Sequence, residues 1–163
     1  MERGLPWVGV LARLVVGGVW LVAGALKVAT PSESIHAVQA YDLLPSSVAE
    51  SVGLGLPATE LVVGLALVAG VLVRGAAVIS ALLLVAYIVA IASVWARGMT
   101  IDCGCFGGGG ADPDAASAYP WEIARDTALL LASLLLVWLR RTPLALDALL
   151  FPNRSDRTLV EGD

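Results

Sequence analysis

Charge is scarce in this sequence. Only 15% of the 163 residues are Asp, Glu, Lys or Arg, and 58% are hydrophobic, whereas a soluble domain carries about a quarter charged residues. This composition excludes an ordinary soluble domain and predicts an integral membrane protein. The net charge of −4 comes without a basic patch or an interleaved aromatic stripe, which excludes nucleic-acid binding.

Cysteine and histidine are also rare. The cysteines are Cys103 and Cys105, and the one histidine is His36, which we expect to be solvated. Two sulfurs supply half of a tetrahedral zinc site, and no second cluster completes it, so a metal site is the weaker interpretation. No second cysteine pair exists near the other membrane face. One copy of the chain therefore cannot pass electrons across a membrane by thiols alone.

Long apolar runs are abundant. Four of them lie at about residues 7–26, 52–73, 76–96 and 121–139. Each is close to the ~20 residues that a helix needs to cross ~30 Å of hydrocarbon, and backbone amides in lipid must bond within their own segment. We predict an all-α integral membrane protein with a four-transmembrane-helix bundle over residues 1–141. A cleaved signal peptide is disfavoured for the first run because Arg13 interrupts it and no cleavage site follows.

The connecting segments differ in length. Between the first two runs, the segment up to Pro45 predicts a short amphipathic helix on the outer surface. Its apolar residues recur at loosely helical spacing and are Ile35, Val38, Tyr41 and Leu43. The connection between the second and third helices is very short and is centred on Arg74 and Gly75. Residues 142–163 predict a short amphipathic piece and a polar, disordered cytoplasmic tail.

Lysine and arginine placement predicts the orientation. If the N-terminus is cytoplasmic, seven of the ten positive residues lie inside, namely Arg3, Arg13, Arg74, Arg140, Arg141, Arg154 and Arg157. This asymmetry predicts a multi-pass plasma-membrane protein with both termini cytoplasmic and the cysteine pair extracytoplasmic. A disulfide persists in that compartment, so the orientation agrees with a cysteine pair that forms one.

Polar residues inside the predicted helices form stripes. The first stripe repeats every three or four residues and comprises Arg13, Gly17, Trp20, Gly24 and Lys27; the second comprises Gly53, Pro57, Glu60 and Gly64. Each stripe is one helix face. A lone carboxylate near the membrane midplane is protonated or paired, and Lys27 and Arg125 are the candidate partners of Glu60. Two interpretations stay open: an ion pair that fixes helix register, or a group that handles protons or tunes a thiol or a quinone.

The cysteines lie one residue apart in "MTIDCGCFGGGG", residues 99–110. A disulfide across one glycine closes a tight, strained ring that is easily reduced. Gly104 accepts backbone angles that other residues avoid, and the glycines that follow would let the backbone of a partner come close. Arg97, Lys27 and Arg125 would favour a thiolate, and Asp102 would oppose it. A redox-active pair is the favoured interpretation, with a structural pair and a metal site as alternatives.

Five segments carry a family resemblance. They are "VAGALKV", "YDLLP", "LPATELVVGL", "RGMTIDCGCFG" and "YPWEIARD", in that order, and with them the chain resembles the MauE branch of the DoxX-like membrane proteins over about residues 11–139. The resemblance implies a four-helix membrane protein that works with a thioredoxin-like extracytoplasmic partner in disulfide formation or transfer. MauE proper is associated with maturation of the disulfide-rich subunit of methylamine dehydrogenase. By position, Cys103 and Cys105 would be the redox pair, and the matching motif residues are Lys27, Tyr41, Glu60, Asp102, Phe106, Trp121 and Arg125.

The leading hypothesis is a membrane thiol-disulfide oxidoreductase that exchanges a Cys103–Cys105 disulfide with a thioredoxin-fold partner. The expected supporting residues are Asp102, Gly104, Phe106, Lys27, Glu60 and Arg125. By analogy with other disulfide-generating four-helix bundles, a quinone between the outer helix halves is the natural electron acceptor. Two alternatives remain. One is a non-catalytic docking or assembly subunit for an extracytoplasmic redox protein, and the other is a small-solute or metal transporter with the charged stripe as its path.

Overall fold

The computed structural model describes residues 5–139, which form helices joined by short connections. The helices are α1 (Leu5–Ala29), α2 (Pro31–Ala40), α3 (Ser46–Ala69), α4 (Val73–Ala96) and α5 (Ala115–Trp138). Between α4 and α5, the short strands β1 (Ile101–Asp102) and β2 (Gly110–Ala111) pair antiparallel, with Ile101 opposite Ala111. The predicted all-α class is confirmed, and the tail predicted for residues 142–163 lies outside the described residues.

Within residues 5–139, three helical segments are long and apolar enough to cross a membrane. They are Trp7–Ala29, Ser46–Ala69 and Val73–Ala96. Helix α5 corresponds to the fourth predicted span and is as long as α3 and α4, with 24 residues. It does not reach the same apolar composition because its first half carries Glu122, Arg125 and Asp126. The four-span count therefore stays a prediction.

The connection between α3 and α4 lies earlier than predicted. Gly70 and Leu72 adopt left-handed backbone angles, with φ of 74° and 48°, whereas Arg74 and Gly75 already belong to α4. The Gly70 N–H donates hydrogen bonds to the carbonyls at the end of α3, the cap that glycine forms most readily. The predicted position of this connection at Arg74 and Gly75 was wrong. Apolar residues continue through the tight turn, so the hydropathy of the sequence does not mark it.

Small residues bring α1 and α3 into close contact. A Cβ atom at Gly17 would lie 3.0 Å from the Gly64 carbonyl oxygen, and one at Gly64 would lie 2.9 Å from the Gly17 carbonyl oxygen. Both predicted stripes are buried in the bundle, so their prediction as inward faces is confirmed. Glycine at a helix contact lets the backbones approach. This approach places Lys27 on α1 beside Glu60 on α3.

The remaining contacts close a four-helix bundle. α1 packs mainly on α3, α4 packs mainly on α5, and the α1–α5 and α3–α4 contacts complete the ring. One apolar core cluster fills the bundle and includes Val16, Leu67, Leu84 and Leu136. A second cluster includes Tyr41, Ile91, Cys105 and Tyr119. The cysteine loop is therefore packed against the bundle and is part of its hydrophobic core.

Helix α2 rests on α3 through small residues. Its buried residues are Ser34 and Ala37, and the Ser34 hydroxyl donates a hydrogen bond of 2.8 Å to the Gly53 carbonyl. The predicted apolar face was only partly right. Tyr41 is buried, but Ile35 and Val38 are half-buried and Leu43 is 51% exposed. A short helix thus exists at the predicted place, whereas its amphipathic position on a membrane surface stays a prediction.

Candidate functional site

The cysteine loop connects α4 to α5 and is closed at its base by β1 and β2. Its glycines take backbone angles that L side chains rarely adopt. The φ values are 64° at Gly104, 85° at Gly107, 79° at Gly108, 134° at Gly109 and 113° at Gly110. The glycine run is therefore required by the path of the chain through this loop.

Two of these glycines also seat the loop on α2. A Cβ atom at Gly104 would lie 2.5 Å from the Cβ of Ala37, and one at Gly109 would lie 2.6 Å from the same atom. Real Cβ atoms essentially never approach so closely. The glycines were predicted to admit the backbone of a partner protein, and that role stays a prediction. Within the chain, Gly104 and Gly109 allow the loop to contact Ala37.

The two cysteines share one tight turn as free thiols. The Cys105 N–H donates to the Cys103 sulfur at 3.3 Å, and the Cys105 thiol lies 3.9 Å from the Cys103 carbonyl. Asp102 accepts a hydrogen bond of 2.9 Å from the Gly104 N–H, which braces the turn. Cys105 is only 5% exposed, whereas Cys103 is half-buried. Of the two sulfurs, Cys103 is thus the more accessible to a visiting group.

The surroundings of Cys103 favour its protonated form. The hydrogen bond with Cys105, followed by burial, raises the pKa of the Cys103 thiol well above its ordinary value. The three cations expected to favour a thiolate are engaged elsewhere. Arg97 donates to the carbonyls of Ser93 and Tyr41, Lys27 pairs with Glu60, and Arg125 pairs with Asp126. In the dithiol, the Cys103 proton must therefore be removed before its sulfur can attack.

Tyr41 fastens the loop to the end of α2. Its hydroxyl donates a hydrogen bond of 2.9 Å to the Cys103 carbonyl. Its own carbonyl accepts a hydrogen bond of 2.5 Å from the Arg97 guanidinium, just beyond α4. Burial raises the pKa of Tyr41 far above its ordinary value, so the hydroxyl keeps the proton that it donates. Tyr41 belongs to the motif segment "YDLLP", and the structure gives it this contact with the cysteine turn.

Tyr119 holds the base of the loop, and its role was missed in the sequence. It is almost fully buried, and its hydroxyl accepts a hydrogen bond of 2.9 Å from the Ile101 N–H. The same hydroxyl lies 2.8 Å from the Ile101 carbonyl and 3.1 Å from the Met99 carbonyl as a donor. The one signal for Tyr119 was its place in the motif segment "YPWEIARD".

Arg125 lies beside the loop and away from Glu60. Its guanidinium carbon is 4.7 Å from the centre of the Phe106 ring, within the range of a cation–π contact. The guanidinium also forms an ion pair of 2.9 Å with Asp126, which is 2% exposed. Of the two partners expected for Glu60, the structure thus selects Lys27, and Arg125 instead packs over Phe106.

A buried polar cluster, formed by Lys27, Glu60 and Tyr87, joins α1, α3 and α4. The Lys27 ammonium lies 2.5 Å from Glu60 Oε1, and the Tyr87 hydroxyl donates to the same oxygen. Lys27 also donates to the Tyr87 hydroxyl at 3.1 Å. Glu60 is 0% exposed, and its other oxygen, Oε2, has no hydrogen-bond partner among residues 5–139. In the sequence, Tyr87 was interpreted as core packing, although a mid-helix tyrosine requires a hydrogen-bond partner.

A small cavity separates the buried polar cluster from the cysteine loop. Its volume is about 30 Å³, and its lining includes Lys27 and Tyr87 of the cluster together with Cys103 and Gly104 of the loop. About two water molecules fit, at roughly 10–15 Å³ each by this measure. A small-molecule pocket measures about 300–1,000 Å³, so the expected quinone does not fit here. In the described part of the chain, no three His, Cys, Asp or Glu side chains converge to hold a metal ion.

Comparisons with known proteins agree with the helical architecture. The family model described as methylamine utilisation protein MauE matches residues 5–139. The match includes the bundle, α2 and the whole cysteine loop. No curated protein and no solved structure matches the chain.

Proposed function

The chain belongs to the MauE family of membrane proteins, and on that premise we propose that it is a membrane thiol-disulfide oxidoreductase. The reactive group is the Cys103–Cys105 pair, and the partner is a thioredoxin-fold protein. The observation that carries the proposal is the pairing of two thiols in one turn, with one sulfur accessible and the other covered. Family membership also implies a place in methylamine utilisation.

The exchange itself needs no group beyond the two proteins. A thiolate of the partner attacks Cys103, the Cys103–Cys105 bond breaks, and a mixed disulfide forms as Cys105 leaves. The second thiol of the partner then displaces Cys103. The partner leaves as a disulfide, and the cysteine pair has gained two electrons and two protons. The reverse sequence reduces a partner by the same steps. Cys103 carries the mixed disulfide because it is the more exposed sulfur.

The membrane topology completes the proposal. We place α5 across the membrane as a fourth span, with both termini cytoplasmic and the cysteine loop extracytoplasmic. Two observations support this placement: α5 packs along α4 and α1, and its Asp126 is buried inside the bundle. Charged groups in membrane helices are expected to face the bundle interior. No step is assigned to a quinone.

Trapping the mixed disulfide tests the proposal. The variant C105S cannot form the internal disulfide, so its Cys103 thiol reacts by the reverse step with the oxidised partner and forms a mixed disulfide. No Cys105 thiol is present to attack Cys103 and release the partner, so a covalent complex is expected to accumulate on non-reducing gels. Mass spectrometry should identify the captured protein as thioredoxin-like. The matched control C103S should trap far less, and C103S/C105S should trap none.

The alternatives predict other results. A docking subunit would support its partner equally well as C103S/C105S, and a transporter would respond to E60Q and be indifferent to the cysteines. The proposal is wrong if C105S inserts in the membrane at the normal level and captures no thioredoxin-fold protein.

A further inference from the structure

We propose that the buried polar cluster serves as the proton store of the redox pair, with Tyr87 relaying a proton between Cys103 and Glu60 through water in the intervening cavity. This inference rests on the proposed function and deepens it. It assigns the groups that remove a proton from Cys103 when its sulfur attacks and return one when it leaves. Neither Tyr87 nor Glu60 touches the sulfur, so both act on it through intervening water.

Glu60 has the capacity to hold the proton. Its carboxylate is fully buried, and Oε1 receives both available donors, the Lys27 ammonium and the Tyr87 hydroxyl. The second oxygen, Oε2, is buried without a hydrogen-bond partner among the described residues. Tyr87 would pass its proton to Oε1, the oxygen to which its hydroxyl donates. Oε2 would then be the carbonyl oxygen of a neutral acid, which costs less to leave unpaired than an oxygen of a charged carboxylate.

Tyr87 has the geometry of a relay. Its hydroxyl donates to Glu60, and its oxygen accepts from Lys27. A hydroxyl oxygen has two lone pairs, so one lone pair remains for a water molecule in the cavity that Tyr87 lines. Such a hydroxyl can accept a proton from water and pass its own to Glu60 in the same event. Lys27 cannot replace it because an ammonium group has no acceptor site.

The cavity bridges the remaining gap. It is lined by Cys103 on the loop and by Tyr87 in the cluster, and it has room for about two waters. Polar groups to hold those waters are present in its lining, including the side chains of Lys27, Ser34 and Tyr41. The rest of the lining is largely apolar, so these polar side chains are the groups that would bind water in the cavity.

The step balances as a simple proton transfer. The Cys103 S–H bond breaks, each water passes one proton and receives one, Tyr87 does the same, and a Glu60 O–H bond forms. No electrons move, and the reverse direction supplies the proton that Cys103 needs when the partner leaves. Lys27 stays protonated throughout and compensates the negative charge, which moves from the carboxylate to the sulfur.

Other titratable groups face this path from every packed element. They are Lys27 from α1, Tyr41 from the end of α2, Cys105 and Asp102 from the loop, and Glu122, Arg125 and Asp126 from α5. Glu122 is the competing acceptor because it lies near Cys103 and also has a buried oxygen without a partner among residues 5–139. A test must therefore separate Glu60 from Glu122.

The pH dependence of Cys103 reactivity distinguishes Glu60 from Glu122 as the proton acceptor. The full chain carrying C105S, in lipid vesicles, is allowed to react with glutathione disulfide, and the mixed disulfide is counted by mass spectrometry. General acid–base groups contribute about 10²–10⁴-fold, so we expect E60Q and Y87F to slow the reaction at pH 7 at least tenfold. At high pH, hydroxide removes the proton directly, and the variant and parent rates should converge.

Two variants serve as controls. S133A removes a buried hydroxyl that bonds to Ser80 at 2.9 Å in the same bundle but does not line the cavity, and it should match the parent at every pH. E122Q removes a carboxyl group that helps to raise the pKa of Cys103, so it should not slow the reaction, whereas loss of a general base should slow it at least tenfold. A defect of E60Q and Y87F that is equal at all pH values would show structural damage and overturn the relay. So would a loss in E122Q with none in Y87F.

A measurement on the parent guards against poorly folding variants. The relay predicts a solvent deuterium isotope effect at pH 7 that depends on deuterium content in a curved manner, as expected when several protons move together. The absence of an isotope effect would contradict the relay. These results are independent of partner trapping. If a thioredoxin-like protein is captured but E60Q and Y87F leave the pH profile unchanged, the relay alone is refuted. If E60Q and Y87F change the pH profile but no thioredoxin-like protein is captured, the proposed function alone is refuted.

Discussion

The contact between the cysteine loop and α2 leads to a quantitative prediction. Gly98 and Gly104 have nearly equal φ angles, 68° and 64°. Because alanine is disfavoured in this left-handed region, substitution at either position should cost about 1–2 kcal/mol of unfolding free energy. At Gly98 nothing lies within 4 Å of the added Cβ, whereas at Gly104 the Ala37 Cβ lies 2.5 Å away. Overpacking adds about 1–3 kcal/mol. We therefore expect G104A to lose about 2–5 kcal/mol and G98A about 1–2 kcal/mol.

A second substitution isolates the steric component. In an A37G background, the nearest neighbours of a Cβ at Gly104 are the Gly108 carbonyl oxygen at 3.5 Å and the residue-37 Cα at 3.8 Å. Both are ordinary contacts, so A37G should reduce the cost of G104A to that of G98A. It should not rescue G109A, because the Cα of residue 37 would still lie 2.8 Å from the added Cβ. The A37G single variant is the reference, since glycine inside a helix itself costs roughly 0.5–1 kcal/mol.

The assay is denaturant titration in mixed detergent micelles, followed by the helical circular dichroism signal. The reactivity of Cys103 toward a maleimide, measured in parallel, reports whether the loop has lifted from α2. Equal losses for G98A and G104A would refute the reasoning, as would rescue of both G104A and G109A by A37G. Either result would mean that the loop does not lie against Ala37 as described.

Three further predictions follow from buried polar groups. K27M and E60Q should each lower the unfolding free energy by about 3–5 kcal/mol, because each leaves a buried charged partner unpaired. The double variant K27M/E60Q should lose less than the sum of the two single losses, by about 1–3 kcal/mol. Additive losses in the same denaturant titration would contradict the ion pair. Y119F should cost about 1–3 kcal/mol because the buried Ile101 N–H loses its acceptor, and hydrogen exchange at that amide should accelerate; unchanged exchange would exclude this role. The raised pKa of Cys103 makes a contribution to stability that is fully present below the ordinary value of 9.0, so the unfolding free energy should fall above pH 9 by up to about 1.4 kcal/mol per pH unit. C103S should lack this decline between pH 9 and 10, below the range in which the raised pKa of Tyr41 adds a second one. An identical slope in that window would contradict the shift.

Local pattern was sufficient to predict much of the bundle. Apolar length predicted the helices, and the period of three to four residues correctly placed Arg13, Trp20 and Lys27 on one buried face. The same pattern paired Glu60 with a cation, because a buried carboxylate requires one. It did not separate Lys27 from Arg125, because both were predicted toward the outer side of the bundle. That choice depends on how closely α1 and α3 pack.

The loop contacts could not be predicted for a different reason. Ala37 is an unremarkable helix residue, and nothing near it in sequence indicates that Gly104 and Gly109 lie against it. Nothing near Tyr87 or Tyr119 in the sequence indicates their hydrogen-bond partners, which are far away in the chain. The spacing of apolar residues predicts which face of a helix is buried. Which residue of another element contacts that face depends on the tertiary fold. The functional interpretation of the loop therefore depends on contacts that have no local signature.

The separation of Lys27 and Glu60 along the chain has a consequence for biosynthesis. Lys27 precedes its carboxylate by 33 residues, so a ribosome delivers the ammonium to the insertion machinery one helix before its counter-ion. Until α3 arrives, α1 must hold that charge at the aqueous boundary or against the translocon. Glu60 and Tyr87, by contrast, lie on either side of the short turn between α3 and α4 and can enter lipid already joined as a hairpin. Assembly of the buried polar cluster is thus complete only once this hairpin has docked on α1.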